Sequence, residues 1–282
     1  MPKRLIGQTD STGRLKKKKA GKGLGSLFSS ADSGELTPER QALVDLWGSD
    51  FWTFLTATDP TTPGNPPVIL TKDESDEKHP YKPFPQDRPY LRILAHEFFG
   101  PHQHIFVNKP RQVMATWCAN LGLYWDALFK HGRKHFISKH KEEEASDLLR
   151  DKIRHVHGRT PPWFQHAYPL SSEPVHRADF LRTDSDITAV GQNAAVAAFR
   201  GPTPSIVLID EAAFQETFAA MLQAAHASAS RLWVLTTPNV GNPGAAECRA
   251  ILNDGDASRY LAAERVEEEE RMPNMAEGWD QR

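Results

Sequence analysis

The stretch Ser205-Ile206-Val207-Leu208-Ile209-Asp210-Glu211 constrains the fold most. Four consecutive aliphatic residues leave no polar face, so the segment suits a strand buried on both sides, as in a parallel sheet covered by helices. Asp210 and Glu211 then stand at the strand's C-terminal end, the edge at which open α/β sheets bind ligands. Such a pair has two readings. It can be the acidic opening of a helix, favoured by the helix dipole. It can also be a hydrolytic pair, in which Asp210 holds Mg²⁺ and Glu211 activates water.

Two further runs have the same character. His104–Asn108 is read as a strand, followed by Lys109-Pro110-Arg111-Gln112-Val113-Met114-Ala115-Thr116 and a helix over Thr116 to Phe129, with Trp117, Leu121, Tyr124, Trp125 and Leu128 on one face. Arg231–Thr236 is a third apolar strand, ending in Thr236-Thr237-Pro238-Asn239. Lys134–Ser138 is read as a short strand and Glu142–Val156 as a charged helix. Arg177–Leu181 with Ile187–Val190 forms a candidate hairpin, and Ala213–Ala229 a helix. Strand and helix alternate, so the fold expected is α/β, a mostly parallel sheet with helices on both faces.

The preceding residues are less regular. Residues 1–35 are rich in Gly, Ser and Lys and are expected to be a disordered arm; the first 25 residues hold eight basic residues against the single acid Asp10. Such an arm can meet phosphates through counterion release. Residues 36–90 are read as a helical lead-in and a long loop. Thr37-Pro38 supplies an N-cap and a first-turn proline, with apolar Ala42, Leu43, Leu46 and Trp47 behind them. A second helix is expected over Leu91–Phe99, closed by Gly100-Pro101. The main domain is assigned to 91–282.

Composition excludes several classes. Hydrophobic content of 39% and charged content of 25% fit a soluble globular chain. No apolar run approaches the ~18 residues of a membrane span. Cys118 and Cys248 are too few for a disulfide framework, and the twelve His show no zinc spacing, so no His metal site is expected.

The loop between the first strand and its helix fits a phosphate cradle poorly. Of the pattern G-x-x-x-x-G-K-[ST] it keeps only Thr116, with Lys109, Met114 and Ala115 at the first Gly, the second Gly and the Lys. Met114 takes φ > 0 only with strain, so the cradle is expected to close differently from a glycine-bearing one. Thr116 can ligate Mg²⁺ while Lys109 and Arg111 supply charge to the phosphates.

Taken together, "KPRQVMATW", "FISKHKEEEASDLLR", "FRGPTPSIVLIDEAAF" and "VLTTPN" resemble the ATPase domain of tailed-bacteriophage terminase large subunits, over roughly Asp87 to Asn253. The resemblance implies a P-loop NTPase fold of the RecA/ASCE kind. It implies an ATPase that drives DNA translocation into a procapsid, with ATP and Mg²⁺ as ligands. Residue by residue it implies a relocated loop lysine at Lys109 with Arg111, Gln112 and Thr116 on the nucleotide. It likewise implies Asp210 and Thr116 on Mg²⁺, Glu211 as base, and Thr236, Thr237 and Pro238 as a coupling segment. Arg200, eleven residues before Glu211 on the loop entering the acidic strand, resembles an arginine finger reaching a neighbouring subunit. Double-stranded DNA, a portal protein, a small terminase subunit and a ring of like subunits are the implied partners, and the host cytoplasm the implied compartment. Such subunits continue into a nuclease domain; nothing after Asn253 supplies one, so no endonuclease activity is expected. A helicase-like ATPase, or a non-catalytic interaction module on a nucleotide fold, would share the acidic strand.

Overall fold

The computed structural model describes residues 36–73, 76–110, 113–201, 203–237 and 241–253. Arg111, Gln112 and Pro238, along with the basic arm, lie outside the described residues.

The chain opens with α1 (Pro38–Ser49), capped by the Thr37 hydroxyl accepting from the Arg40 N–H, and α2 (Phe51–Leu55), capped by Asp50. The buried face of α1 is Val44 and Trp47, while Leu46, expected inside, is more than half exposed. The stretch read as a long loop contains a small antiparallel pair, β1 (Leu70–Lys72) with β2 (Tyr81–Pro83). Next come α3 (Pro89–Phe99), β3 (His104–Asn108), α4 (Ala115–Phe129) and β4 (Lys134–Lys139). A helical run follows: α5 (Glu142–Leu148), a π-helical segment Leu149–Arg154, and a last turn α6 (His155–His157). The remainder is α7 (Pro162–Ala167), β5 (Arg177–Phe180), β6 (Ser185–Gly191), α8 (Gln192–Arg200), β7 (Ile206–Asp210), a 3₁₀ turn Ala212–Phe214, α9 (Phe218–Ser228), β8 (Arg231–Thr236) and α10 (Pro243–Asn253).

Six strands form one sheet in the order β3-β8-β7-β4-β6-β5, parallel throughout except for β5 at the edge. Strand periodicity divides its residues between two cores. Ile105, Val107, Ile137, Ile206, Leu208, Trp233 and Leu235 face the core shared with α1 to α4. Phe106, Phe136, Val207, Ile209, Leu232 and Val234 face the core under α8, α9 and α10. The expected α/β sheet with helices on both faces is therefore the observed one.

α4 departs from its expected single apolar face. Every residue from Cys118 to Leu128 is buried, so the helix is enclosed all round. The aromatic residues of 36–99 do the enclosing: Phe51 and Phe99 pack on Trp125, Phe54 on Tyr124, and the Trp125 indole N–H donates to the carbonyl of Trp47 at 2.8 Å. Enclosure takes even a charge inside. Asp126, 2% exposed, meets Lys130 at 2.6 Å, Arg133 at 3.1 Å and His135 at 3.3 Å, near the end of the sheet at which β4 begins. Burial pushes its carboxyl upward, but His135 and Lys130 outweigh that and hold it at about 2.

Candidate nucleotide site

β3, β8 and β7 lie side by side and run the same way, so their C-terminal ends share one edge, with Asn108 opposite Thr236 and Asp210 opposite Leu235. β8 stands between the other two. Beyond β3 the ladder continues for one more bond, Lys109 N–H to the Thr236 carbonyl at 2.9 Å. This turns Lys109 into the sheet's edge, where it is buried and acts electrostatically on Asp210.

Asp210 is the centre of the cluster. Its parity on β7 sends it to the α4 side, where the Thr116 hydroxyl, in the first turn of α4, donates to Oδ1 at 3.3 Å. Lys139, the last residue of β4, comes within 3.9 Å of Asp210 Oδ2 and 3.2 Å of Glu211 Oε2. Asp210 is 1% exposed. Burial, the largest influence, raises its pKa above the ordinary carboxylate value; Lys109 and Lys139 pull it down without cancelling that, and Glu211 opposes them.

Two residues flanking the cluster adopt left-handed backbone. Met114 has φ +57 and ψ +8 at the mouth of α4, and Glu211 has φ +55 and ψ +43 at the end of β7. The expectation for Met114 is thereby corrected. The loop closes through the conformation that a glycine would supply, and Met114 bears the steric cost, on the order of 1–2 kcal/mol, with its side chain packed against the larger core. For Glu211 the same conformation lifts the carboxylate out of the buried strand line; its side chain is 42% exposed while Asp210 is enclosed.

The sequence-predicted residues divide into three groups. Lys109, Thr116, Asp210 and Glu211 come together as expected. Thr236 reaches the same edge, but its hydroxyl faces the other side of the sheet, accepting from Ala213 N–H at 3.0 Å and lying 3.3 Å from the Thr237 carbonyl. In this arrangement it ties β8 to the acidic turn and points away from α4. Arg200 is corrected in position. It is the exposed last residue of α8, not part of a loop. α8 starts at the site's edge, where Gln192 accepts from Glu216 N–H at 2.7 Å. It ends where β7 and β8 begin, with the Phe199 carbonyl accepting from Ser228. Nine helical residues span about 13 Å, so Arg200 lies at the opposite edge of the sheet from its own carboxylates.

Sequence reasoning passed over Lys139, Gln215 and Gln192. A lysine ending a strand and glutamines after a turn carry no sequence signal beyond ordinary polar surface. Their burial and partners exist only once β4, β6 and β7 are aligned.

No family model matches the chain, and no curated protein matches it in sequence. Its structure is similar to the crystal structure of the HK97 bacteriophage large terminase, with a TM-score of 0.50 and 11% identity over 64% of this chain. The chain shares its fold with a phage large terminase. It spans 39% of the HK97 terminase chain. A weaker likeness is to the ATPase domain of the large terminase from Thermus phage P74-26, with a TM-score of 0.41 and 14% identity over 61% of this chain and 71% of that one. Among the described residues no group of three or more His, Cys, Asp or Glu could hold a metal, and no helix is long and apolar enough to cross a membrane.

Proposed function

We propose that this chain is the ATP-hydrolysing motor domain of a DNA-packaging terminase. The observation that supports it is the convergence of Lys109, the Thr116 hydroxyl and the buried Asp210 carboxylate at one sheet edge, with Glu211 standing free of the strand beside them. Hydrolysing a nucleoside triphosphate needs a cation facing the phosphates, oxygen ligands for a divalent ion, and a carboxylate aimed at water. Lys109, Thr116 with Asp210, and Glu211 supply these in order. An enclosed carboxyl whose two lysine neighbours do not offset its burial suits a divalent cation. Thr116 Oγ1 and Asp210 are the atoms that would hold Mg²⁺. When bound, the ion neutralises charge on the phosphate oxygens.

The protein's own groups account for the rest. The first N–H groups of α4 present a positive helix end for phosphate. Lys109 is held to β8 by its backbone, which keeps its charge near enough to act on Asp210 electrostatically and limits its wandering. Glu211 accepts the proton of the attacking water. Arg200, on the far edge, is too distant for its own site and suits a neighbouring subunit's nucleotide in a ring. Arg111 and Gln112 are assigned to the nucleotide, and Thr237 with Pro238 to coupling, by resemblance. Double-stranded DNA, a portal ring and a small terminase subunit are the partners this reading implies, in the host cytoplasm.

The test is ATP turnover by the purified chain, with and without DNA, against Glu211→Gln. Turnover should fall by roughly two to four orders of magnitude while ATP binding persists. Equal rates in both proteins would remove Glu211 from the chemistry. No turnover by the wild type, alone or assembled on a portal ring, would favour the non-catalytic module. The trans role of Arg200 is read by mixing Arg200→Ala with Glu211→Gln. Partial recovery in co-assembled mixtures is expected, and none would refute it.

A further inference from the structure

The left-handed conformation of Glu211 is strained for a non-glycine residue and persists only where its surroundings over-determine it. Three ties hold this turn. Gly244, near the start of α10, presses on it from outside: a Cβ there would stand 2.4 Å from the Ala212 carbonyl oxygen and 2.9 Å from that of Gln215. Thr236 holds the Ala213 N–H from β8. The third tie comes from within. Gln215, fully buried, folds its side chain back under the turn, and its Nε2 donates to the Asp210 carbonyl at 2.7 Å. Its Oε1 accepts from the Ser138 hydroxyl on β4 at 3.4 Å.

The Asp210 carbonyl belongs to the peptide that joins Asp210 to Glu211. Rotating that peptide changes ψ of Asp210 and φ of Glu211 together, so whatever fixes the oxygen also fixes the direction in which Glu211 leaves the strand. Of the three ties, Gln215 alone bonds this peptide. A primary amide is suited to the position because it donates and accepts at one end of a side chain. It bonds a carbonyl on β7 and a hydroxyl on β4, the strand that also ends in Lys139.

We propose that Gln215 is a positioning residue for the hydrolytic carboxylate: it locks the Asp210–Glu211 peptide and thereby sets where the Glu211 carboxylate stands. The inference rests on Glu211 being the base, as argued above. A misplacement of about 1 Å can cost a hundredfold in rate without weakening binding. Gln215→Leu should therefore lower kcat roughly 10–100-fold, with KM and affinity for a non-hydrolysable ATP analogue little changed. The loss should largely vanish in the Glu211→Gln background, because the two residues act as a unit.

A melting cycle tests the lock without any turnover. Glycine takes φ > 0 freely, so Gln215→Leu should lower Tm less in the Glu211→Gly background than in the wild type. Equal Tm losses in both backgrounds, or a kcat loss that multiplies with that of Glu211→Gln, would assign Gln215 to general packing and overturn the proposal. Absence of ATPase activity in the wild type would refute the functional reading, while the melting cycle would still decide the lock. If Gln215→Leu does not fold, Ser138→Ala releases the amide's other end. It should then lower kcat several-fold with KM unchanged, and an unchanged kcat would overturn the proposal.

Discussion

Asp210 and Asp126 are both enclosed, and both lie among cations, yet they titrate in opposite directions. Asp126 at one end of the sheet has the charged groups of Lys130 and Arg133 and the His135 ring within 3.3 Å, and His135 and Lys130 hold it at about 2. Asp210 at the other end has one hydroxyl at 3.3 Å and an ammonium at 3.9 Å, and its pKa is raised. Burial is therefore not the distinguishing sign of a functional acid. What differs is whether the protein completes the charge balance itself. Asp126 is compensated and fastens α4 to β4. Asp210 is left short of positive charge, which on the proposed function is the balance a divalent cation would complete.

The strongest test of this contrast exchanges charge for amide at each place. Asp210→Asn should reduce turnover by two orders of magnitude or more, about the scale of losing a metal-holding or charge-stabilising group, without lowering Tm at neutral pH. Asp126→Asn should do the reverse, keeping the per-molecule rate but losing about 3 kcal/mol in denaturant unfolding. That figure is the lower end for a broken buried pair, since Lys130 and Arg133 are more than one-third exposed. If Asp210→Asn melted well below the wild type, Asp210 would be structural too and the contrast would collapse.

Next in size is Gly244→Ala. A methyl group 2.4 Å from the Ala212 carbonyl oxygen forces backbone to move, at a cost of about 1–3 kcal/mol, and turnover should drop with it because the acidic turn is what moves. An alanine variant with full stability and rate would show that α10 is not packed on that turn.

The smallest effects are those of pH. Asp126 has a depressed folded pKa, so its contribution is complete above its unfolded value near 4 and is lost as pH falls toward 2. The Tm deficit of Asp126→Asn should accordingly shrink in that interval. Asp210 has a raised folded pKa, so its ionisation at higher pH disfavours the folded state. Asp210→Asn should match the wild type below about pH 4 and equal or exceed it at neutral pH. Parallel Tm–pH curves for the two variants would erase the distinction.

The elements most legible in the sequence were those whose composition allowed one outcome. β3, β7 and β8 are unbroken apolar runs, and nothing but a two-sided sheet buries them. The hairpin of β5 and β6 and the Thr37 cap were equally readable. α8 was not, because Gln192–Arg200 is rich in small residues whose helical face finds its apolar partners only in α9, β6 and β4, with Phe199 against Phe136. α2 and α7 are too short for periodicity to declare them. Of the site, Thr116, Asp210 and Glu211 carried their own signals, and Lys109 entered through the resemblance. Lys139 and Gln215 acquire meaning from strand order, which sequence spacing does not encode. Met114 failed for another reason: steric preference is an energy, not a prohibition, and the closed loop and packed side chain outweigh it.

The placement of β8 between β3 and β7 has a metrological consequence. The cation-bearing loop and the acid-bearing turn share no ladder, and both are referred to Thr236, the loop through its carbonyl and the turn through its hydroxyl. One residue is the datum for both halves of the site, so positional error does not accumulate along two separate chains of contacts. Tolerance at residue 236 should be correspondingly narrow. Serine preserves both reference atoms. Valine, equal in shape, preserves only one and leaves the acidic half uncalibrated against the loop.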